Sequence, residues 1–319
     1  MDYKTFIKKS EDLETTADVR RNFYLENVLR RDRASVPYLM RAKALFTTLK
    51  SETKKPSDIL KLTNLRDAFL DAAGVSRKTR EHLDDSDMNS ILADFVKNVV
   101  EPTGSKYVDE VTYRYLMALG EQLGGTMRNL IGKLGQSFLT RNIIAQLQMR
   151  RIDFDFHIGK GSWTSSDNLT ENSPEEIKAI RWHIGNLTRT LVYNITVPDS
   201  TEASKNVDIV VFNNHLAGLN HARDIAPLFA NSHNLVAMGE LKSGMDRAGG
   251  DEHWKTGVHA LNRIRDKYKH TYLMYIGATI ERSMGKKIYT MLQDNRLDFA
   301  ANLYNENQLS NLCGWLVEL

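Results

Sequence analysis

The hydrophobic period of this chain changes halfway along, and that change bounds the fold more tightly than any single motif. Up to about residue 150 the apolar residues recur at helical spacing. Ser57 precedes Ile59, Leu60, Leu62, Leu65, Phe69 and Leu70, one face that Gly74 can end. Asp87 precedes a second amphipathic segment through Ile91, Leu92, Phe95 and Val99, stopped at Glu101-Pro102. A third helix is expected over about 108–119, ended by Gly120, and a longer one over 127–149 with Thr126 as N-cap. Beyond residue 150 short β-branched runs take over, at 152–156, 190–197, 207–212, 235–241 and 271–280, with a helical pattern over 253–267 between the last two. Strands followed by a strand-helix-strand unit predict an α/β chain whose mixed sheet is flanked by helices. The expected division is a mainly helical subdomain, 1–125, and a sheet-bearing core, 126–319.

Composition matters mainly for what it excludes. No apolar run approaches the length of a bilayer span, and the opening MDYKTFIKKSEDLE lacks the apolar stretch of a secretory signal, so a cytoplasmic protein is expected. The single cysteine, Cys313, rules out an intramolecular disulfide and a cysteine zinc cluster; its apolar setting reads as core filler. A net charge of +3 is too small to argue for a polyanionic partner without chemistry elsewhere.

That chemistry lies at two strand ends. In Val236-Ala237-Met238-Gly239-Glu240-Leu241-Lys242, strand alternation puts Glu240 and Lys242 on one face. Taken alone, the triplet reads more readily as an ordinary strand-end ion pair. The preceding strand changes the balance, because Asn206-Val207-Asp208-Ile209 places a lone carboxylate at the start of an apolar run. Asp208 and Glu240 on adjacent strands would offer oxygen ligands suited to Mg²⁺, which keeps several of its waters. Lys242 beside them could orient or deprotonate an attacking water and steady a phosphorane-like transition state. Asp followed by Glu-x-Lys is the arrangement of the PD-(D/E)xK nucleases. The literal Pro198-Asp199 upstream is set aside as a turn that ends a strand.

Several segments together carry a more specific resemblance: Leu123-Gly124-Gly125-Thr126-Met127-Arg128-Asn129, Tyr193-Asn194-Ile195-Thr196-Val197-Pro198, Asn206-Val207-Asp208-Ile209, Gly239-Glu240-Leu241-Lys242, Asp251-Glu252-His253-Trp254-Lys255-Thr256, and Cys313-Gly314-Trp315. Over most of its length the sequence resembles the AvaI/BsoBI group of type II restriction endonucleases. The resemblance implies a restriction-endonuclease-like core, a homodimer enclosing double-stranded DNA, Mg²⁺ as cofactor, a prokaryotic host and a cognate DNA methyltransferase. It implies catalytic roles for Asp208, Glu240 and Lys242, with Asp208 and Glu240 on the metal, and makes His253 a candidate general base. An imidazole suits that task near neutral pH, although without the resemblance the residue reads as part of an acidic-capped helix start. Asp246, in the loop after Lys242, becomes a candidate base contact, or else a turn-forming aspartate. Lys78, Arg80, Arg128 and Arg141 are candidate phosphate or guanine contacts. Relatives of this group cut CYCGRG and leave a four-base 5′ overhang; the loops 160–175 and 213–232 depart from them, so the cut site is less tightly implied than the reaction. Two other readings stand beside this one: a structure-selective repair nuclease on the same core, and a sequence-specific DNA-binding protein that does not hydrolyse.

Overall fold

The computed structural model describes residues 3–159, 161–198 and 204–319, and of residues 247–253, 256 and 260 the backbone only. The chain forms two compact units, one of Met1–Phe23 with Leu130–Leu319 and one of Tyr24–Asn129.

The second unit is helical. It contains most of α1 (Ala17–Glu52), all of α2 (Arg66–Ala72), α3 (Arg77–Arg80) and α4 (Asp85–Phe95), and the first half of α5 (Tyr107–Met149). Leu45 and Leu49 of α1, Phe69 and Leu70 of α2, Leu92 and Phe95 of α4 and Val111, Tyr115 and Leu119 of α5 form its core. Three expected helices differ. The 57–70 segment is broken into 3-10 turns, Pro56–Lys61 and Thr63–Leu65, before α2 begins. The expected pair over 108–119 and 127–149 is one continuous α5, in which Thr126 is no N-cap: its hydroxyl donates to the Gln122 carbonyl one turn back, at 2.9 Å. Tyr107, Val111, Tyr115, Leu119, Leu123 and Met127 are buried at every fourth position, so the burying stripe runs unbroken past Gly120, Gly124 and Gly125. Each interior glycine costs about 1 kcal/mol against alanine, which packing of such a stripe outweighs. Asp87 acts three residues into α4, exchanging hydrogen bonds with the true cap Asp84 at 2.9 and 3.2 Å.

The first unit holds one eight-stranded mixed sheet in the order β2-β1-β3-β4-β5-β6-β7-β8. Its strands are β1 (Phe154–Ile158), β2 (Trp163–Ser165), β3 (Ile177–Ile184), β4 (Leu187–Pro198), β5 (Ser204–Phe212), β6 (Leu235–Lys242), β7 (Tyr272–Gly277) and β8 (Phe299–Asn302). All neighbours through β5 and β6 are antiparallel; β6, β7 and β8 are parallel. The short helix α6 (Ser173–Glu176) leads into β3, α7 (Arg247–Lys267) links β6 to β7, α8 (Arg282–Gln293) links β7 to β8, and α9 (Glu306–Glu318) follows. Parallel neighbours require such crossovers, whereas the antiparallel part needs none. In β5, Val207 and Ile209 to Phe212 are fully buried, the mark of a central strand covered on both faces. Cys313 is buried among the core residues, and burial pushes its thiol well above the usual range, as core filler requires.

The expected boundary at 125 also shifts at the other end of the chain. Tyr3, Ile7 and Leu13 belong to the sheet unit's core. The Thr15 hydroxyl donates to the Ala278 carbonyl at 2.8 Å and accepts from the Ile280 amide at 2.9 Å, and Asn302 Nδ2 donates to the Leu13 carbonyl at 3.2 Å. Those bonds join positions more than 260 apart, beyond the reach of any local pattern.

Candidate active site

The antiparallel ladder of β5 and β6 pairs Ile209 with Gly239, so the next step outward sets Asp208 against Glu240 at the edge of the ladder. Gly239 is what the close packing there permits: a Cβ would stand 3.1 Å from the Met274 carbonyl oxygen and strike the Met274 side chain. Strand alternation then brings Lys242 to the same face as Glu240. The three charges meet. Lys242 Nζ lies 2.7 Å from Asp208 Oδ2 and 2.5 Å from Glu240 Oε2, and the Leu241 amide donates to Asp208 Oδ2 at 2.9 Å.

Glu240 is 2% exposed, and among the described residues its Oε1 has no hydrogen-bond partner. Burial raises its pKa, the Asp208 charge adds to the rise, and Lys242 opposes it. For Lys242 burial works to lower the pKa, but Asp208 and Glu240 together outweigh it and the net direction is upward. The ammonium is therefore held as a cation and hydrogen-bond donor. Two carboxylates facing one cation leave a formal charge of −1 and one buried oxygen unmatched, and such a group costs free energy until something pairs with it. A hard divalent cation fits this donor set. The described residues contain no group of three His, Cys, Asp or Glu able to hold a metal, so an ion bound here would complete its shell with water, as Mg²⁺ commonly does.

The neighbouring elements close the back of the site. Tyr275 of β7 is in register with Glu240, and Gly277 with Lys242. A Cβ on Gly277 would lie 2.8 Å from the Tyr275 ring, so the glycine leaves room for that ring to lie beside the carboxylates. Burial, then the charges of Glu240 and Asp208, push the Tyr275 phenol far above its usual range and keep it protonated. Trp254 of α7 packs edge-on to Tyr275 with ring centroids 4.6 Å apart, and at Gly257 the same helix comes within ordinary contact of Glu240, its absent Cβ 3.4 Å from Cγ. Sequence reading missed Tyr275 and Gly277, whose place follows only from the parallel register with β6.

The other candidates separate. Asp246 is exposed, four residues past Lys242. His253 lies in the backbone of α7, but its side chain falls outside the described residues, as does Asp199. Arg141 is half exposed and reaches Glu175 at 3.7 Å. In the helical unit Lys78 and Arg128 are exposed. Arg80 is paired within the chain: its guanidinium pairs with Asp71, with Asp67 at 3.2 Å and with the Val75 carbonyl at 3.0 Å, and its side chain is 14% exposed. It ties α3 to α2.

A family model described as Restriction endonuclease BsobI matches residues 3–319. The chain is 36% identical over 325 residues to the type II restriction enzyme BsoBI of Geobacillus stearothermophilus, covering 99% of this chain and 98% of that one. It is 32% identical over 325 residues to the type II restriction enzyme AvaI of a Nostoc species and, equally, of Anabaena variabilis, in both cases over 100% of each chain. With similarity of this extent across both units, the chain belongs to the BsoBI family of restriction endonucleases.

Proposed function

We propose that this chain hydrolyses both strands of DNA at a short palindrome of the CYCGRG type, leaving 5′ overhangs, with Mg²⁺ held by Asp208 and Glu240. The observation that carries the proposal is the convergence of Asp208, Glu240 and Lys242, with Glu240 Oε1 buried and unmatched. Bound there, Mg²⁺ would supply Lewis-acid charge to the scissile phosphate and make the attacking water more acidic. Lys242, held protonated, donates to a phosphate oxygen and stabilises the negative charge that grows in the transition state. Tyr275 and Trp254 exclude water behind Glu240 and confine its side chain. The proton acceptor in this reading is His253, which follows from the family and from imidazole chemistry. Asp246 accepts from a cytosine N4 amino group, and Lys78, Arg128 and Arg141 supply phosphate contacts.

A palindrome presents two equivalent bonds, which calls for two copies related by a two-fold axis. The helical unit carries a surface suited to that role. Leu25, Leu29, Val36 and Met40 lie on one side of α1 and are 45–66% exposed with their neighbours Val28 and Leu39. Asp32 divides these side chains into two exposed apolar clusters, around Leu25 and Leu29 and around Val36 and Met40, which a second copy could cover. A methyltransferase of matching specificity would protect the host's own sites.

Digestion of a sequenced plasmid in Mg²⁺, followed by mapping of the ends, tests the whole reading. Cutting at every CYCGRG with 5′-phosphate overhangs is expected. Cutting only at junctions or lesions would favour the repair nuclease, and specific binding without product would favour the non-hydrolysing protein.

A further inference from the structure

We infer that Gly135 and Gln136 of α5 form a positioning clamp that braces the segment after Lys242 and the strand β4 that pairs with the Asp208 strand; the inference rests on the nuclease reading above. Gly135 lies directly against Ser243, the residue after Lys242. A Cβ on Gly135 would fall inside the Ser243 side chain, 2.5 Å from its Oγ, and within 3.3 Å of Leu303 Cδ2. Ser243 is buried, and the chain around it is pinned on its other sides. The Ala278 amide donates to the Lys242 carbonyl at 2.7 Å, the Thr279 hydroxyl to the Gly244 carbonyl at 3.1 Å, and the Met245 side chain sits in the core. Lys242 and Asp246 thus flank one fixed segment that rests on the α5 backbone at Gly135. A glycine in mid-helix is unfavourable relative to alanine, so what this one provides is the close approach.

The next residue holds β4, the neighbour of the strand that carries Asp208. Gln136 Nε2 donates to the Ile177 carbonyl at 3.1 Å, and its Oε1 accepts from Asn194 Nδ2 at 3.2 Å. Asn194 has φ +59° inside β4, a left-handed conformation that is rare within strands. The β4–β5 ladder pairs Tyr193 with Ile209 and Ile195 with Val207, leaving Asn194 out at the level of Asp208. Two consecutive residues of one helix therefore brace both sides of the carboxylate pair: one by steric contact beside Lys242, the other by an amide bond to the kink beside Asp208.

The test is a compensating pair. Gly135→Ala should slow single-turnover cleavage of a site-bearing duplex in Mg²⁺ at least ten-fold. Its affinity for the duplex in Ca²⁺ should stay near that of the unaltered enzyme, while its thermal midpoint falls by the few degrees that a buried overlap costs. Adding Ser243→Gly removes the Cβ that the new methyl meets, and should recover most of the rate. Gln136→Ala should slow cleavage in the same assay by loosening Asn194. The clamp is overturned if Gly135→Ala cuts at the normal rate, or if rate and thermal midpoint fall together and Ser243→Gly restores neither. Should Gly135→Ala fail to fold, the double variant carries the test, and a double variant that is folded but slow overturns it. An unaltered enzyme that cuts no duplex would sink the nuclease reading and this inference with it, an outcome distinct from normal cutting by Gly135→Ala.

Discussion

Two charged clusters are set into the sheet, one on β1 and β3 around Arg181 and one on β5 and β6 around Lys242. Around Arg181 every nitrogen is used. Nε and Nη2 donate to Asp155 Oδ2 at 3.2 and 2.5 Å, Nη1 donates to His215 Nε2 at 2.7 Å and to the Leu216 carbonyl at 3.1 Å, and the guanidinium lies over the Trp163 ring, 4.4 Å from its centroid. A guanidinium cannot accept, so His215 Nε2 must, which fixes that imidazole as the neutral tautomer with its proton on Nδ1. One cation balances one carboxylate. Around Lys242 one cation faces two carboxylates, and a buried oxygen has no partner among the described residues. Both clusters are costly to remove from water, but the first is closed and the second leaves one carboxylate oxygen unmatched among the described residues. Charge balance and satisfaction, more than burial itself, distinguish a staple from a site.

The largest effect that could break this contrast is on chemistry. Lys242→Ala should lower the cleavage rate on the order of 10³-fold, by analogy with loss of a transition-state donor, while site-specific binding in Ca²⁺ persists. Cleavage at the normal rate would mean that the open cluster is only another ion pair. Next in size is the matching change at the closed cluster. Arg181→Met leaves Asp155 without its cation and should cost about 2–3 kcal/mol in urea unfolding, below the usual figure for a buried pair because the Asp155 side chain is 37% exposed. Its rate per folded molecule should hold near normal. No loss of stability would show that the closed cluster is not a staple.

The open cluster was legible in the sequence because its pieces are local. Glu240 and Lys242 share a face through alternation within one strand, and Asp208 starts a run so apolar that its carboxylate stands out. The closed cluster was not legible, since Asp155, Arg181 and His215 come from separate segments with no spacing rule between them. Tyr275 escaped for the same reason. The mixed sheet was foreseen from the change of period, whereas β2, β3 and β8 were passed over, and α5 was cut in two because glycines were weighed above the every-fourth-residue stripe that overrides them. Helix α1 was missed because its charged residues are mixed among apolar ones, and only Ala42, Leu45 and Leu49 of it are buried. Arg80 shows the limit of reading basic residues by type: its partners Asp67 and Asp71 are near in sequence, yet nothing in the spacing marks it as paired.

Metal titration sharpens the same comparison by stability alone. If the open cluster takes a divalent cation, Mg²⁺ or Ca²⁺ at about ten times its dissociation constant should add about 1.4 kcal/mol to the unaltered protein. Glu240→Gln should abolish that gain, and it should cost the metal-free protein nothing, because it removes one of two facing carboxylates from a buried site. Arg181→Met should keep the gain in full. An equal metal response in Glu240→Gln would move the ion elsewhere.

The smallest expected effect belongs to the closed side. His157 of β1 is 4% exposed, its Nδ1 has no partner, and it packs edge-on against Trp163, the ring that lies under Arg181, with centroids 5.4 Å apart. Burial lowers its pKa, and a hydrogen bond to the Gly161 backbone offsets only part of the shift. The folded protein therefore refuses a proton that the unfolded chain accepts near pH 6.5. Between that value and the lower folded one the unfolded state binds more protons, so this contribution to stability is complete above about pH 7 and declines as the solution is acidified. His157→Gln cannot titrate. Urea unfolding of the two proteins at pH 8 and at pH 5.5 should show a smaller acid loss in the variant, and identical losses would mean that the acid sensitivity of this half of the sheet lies in other groups.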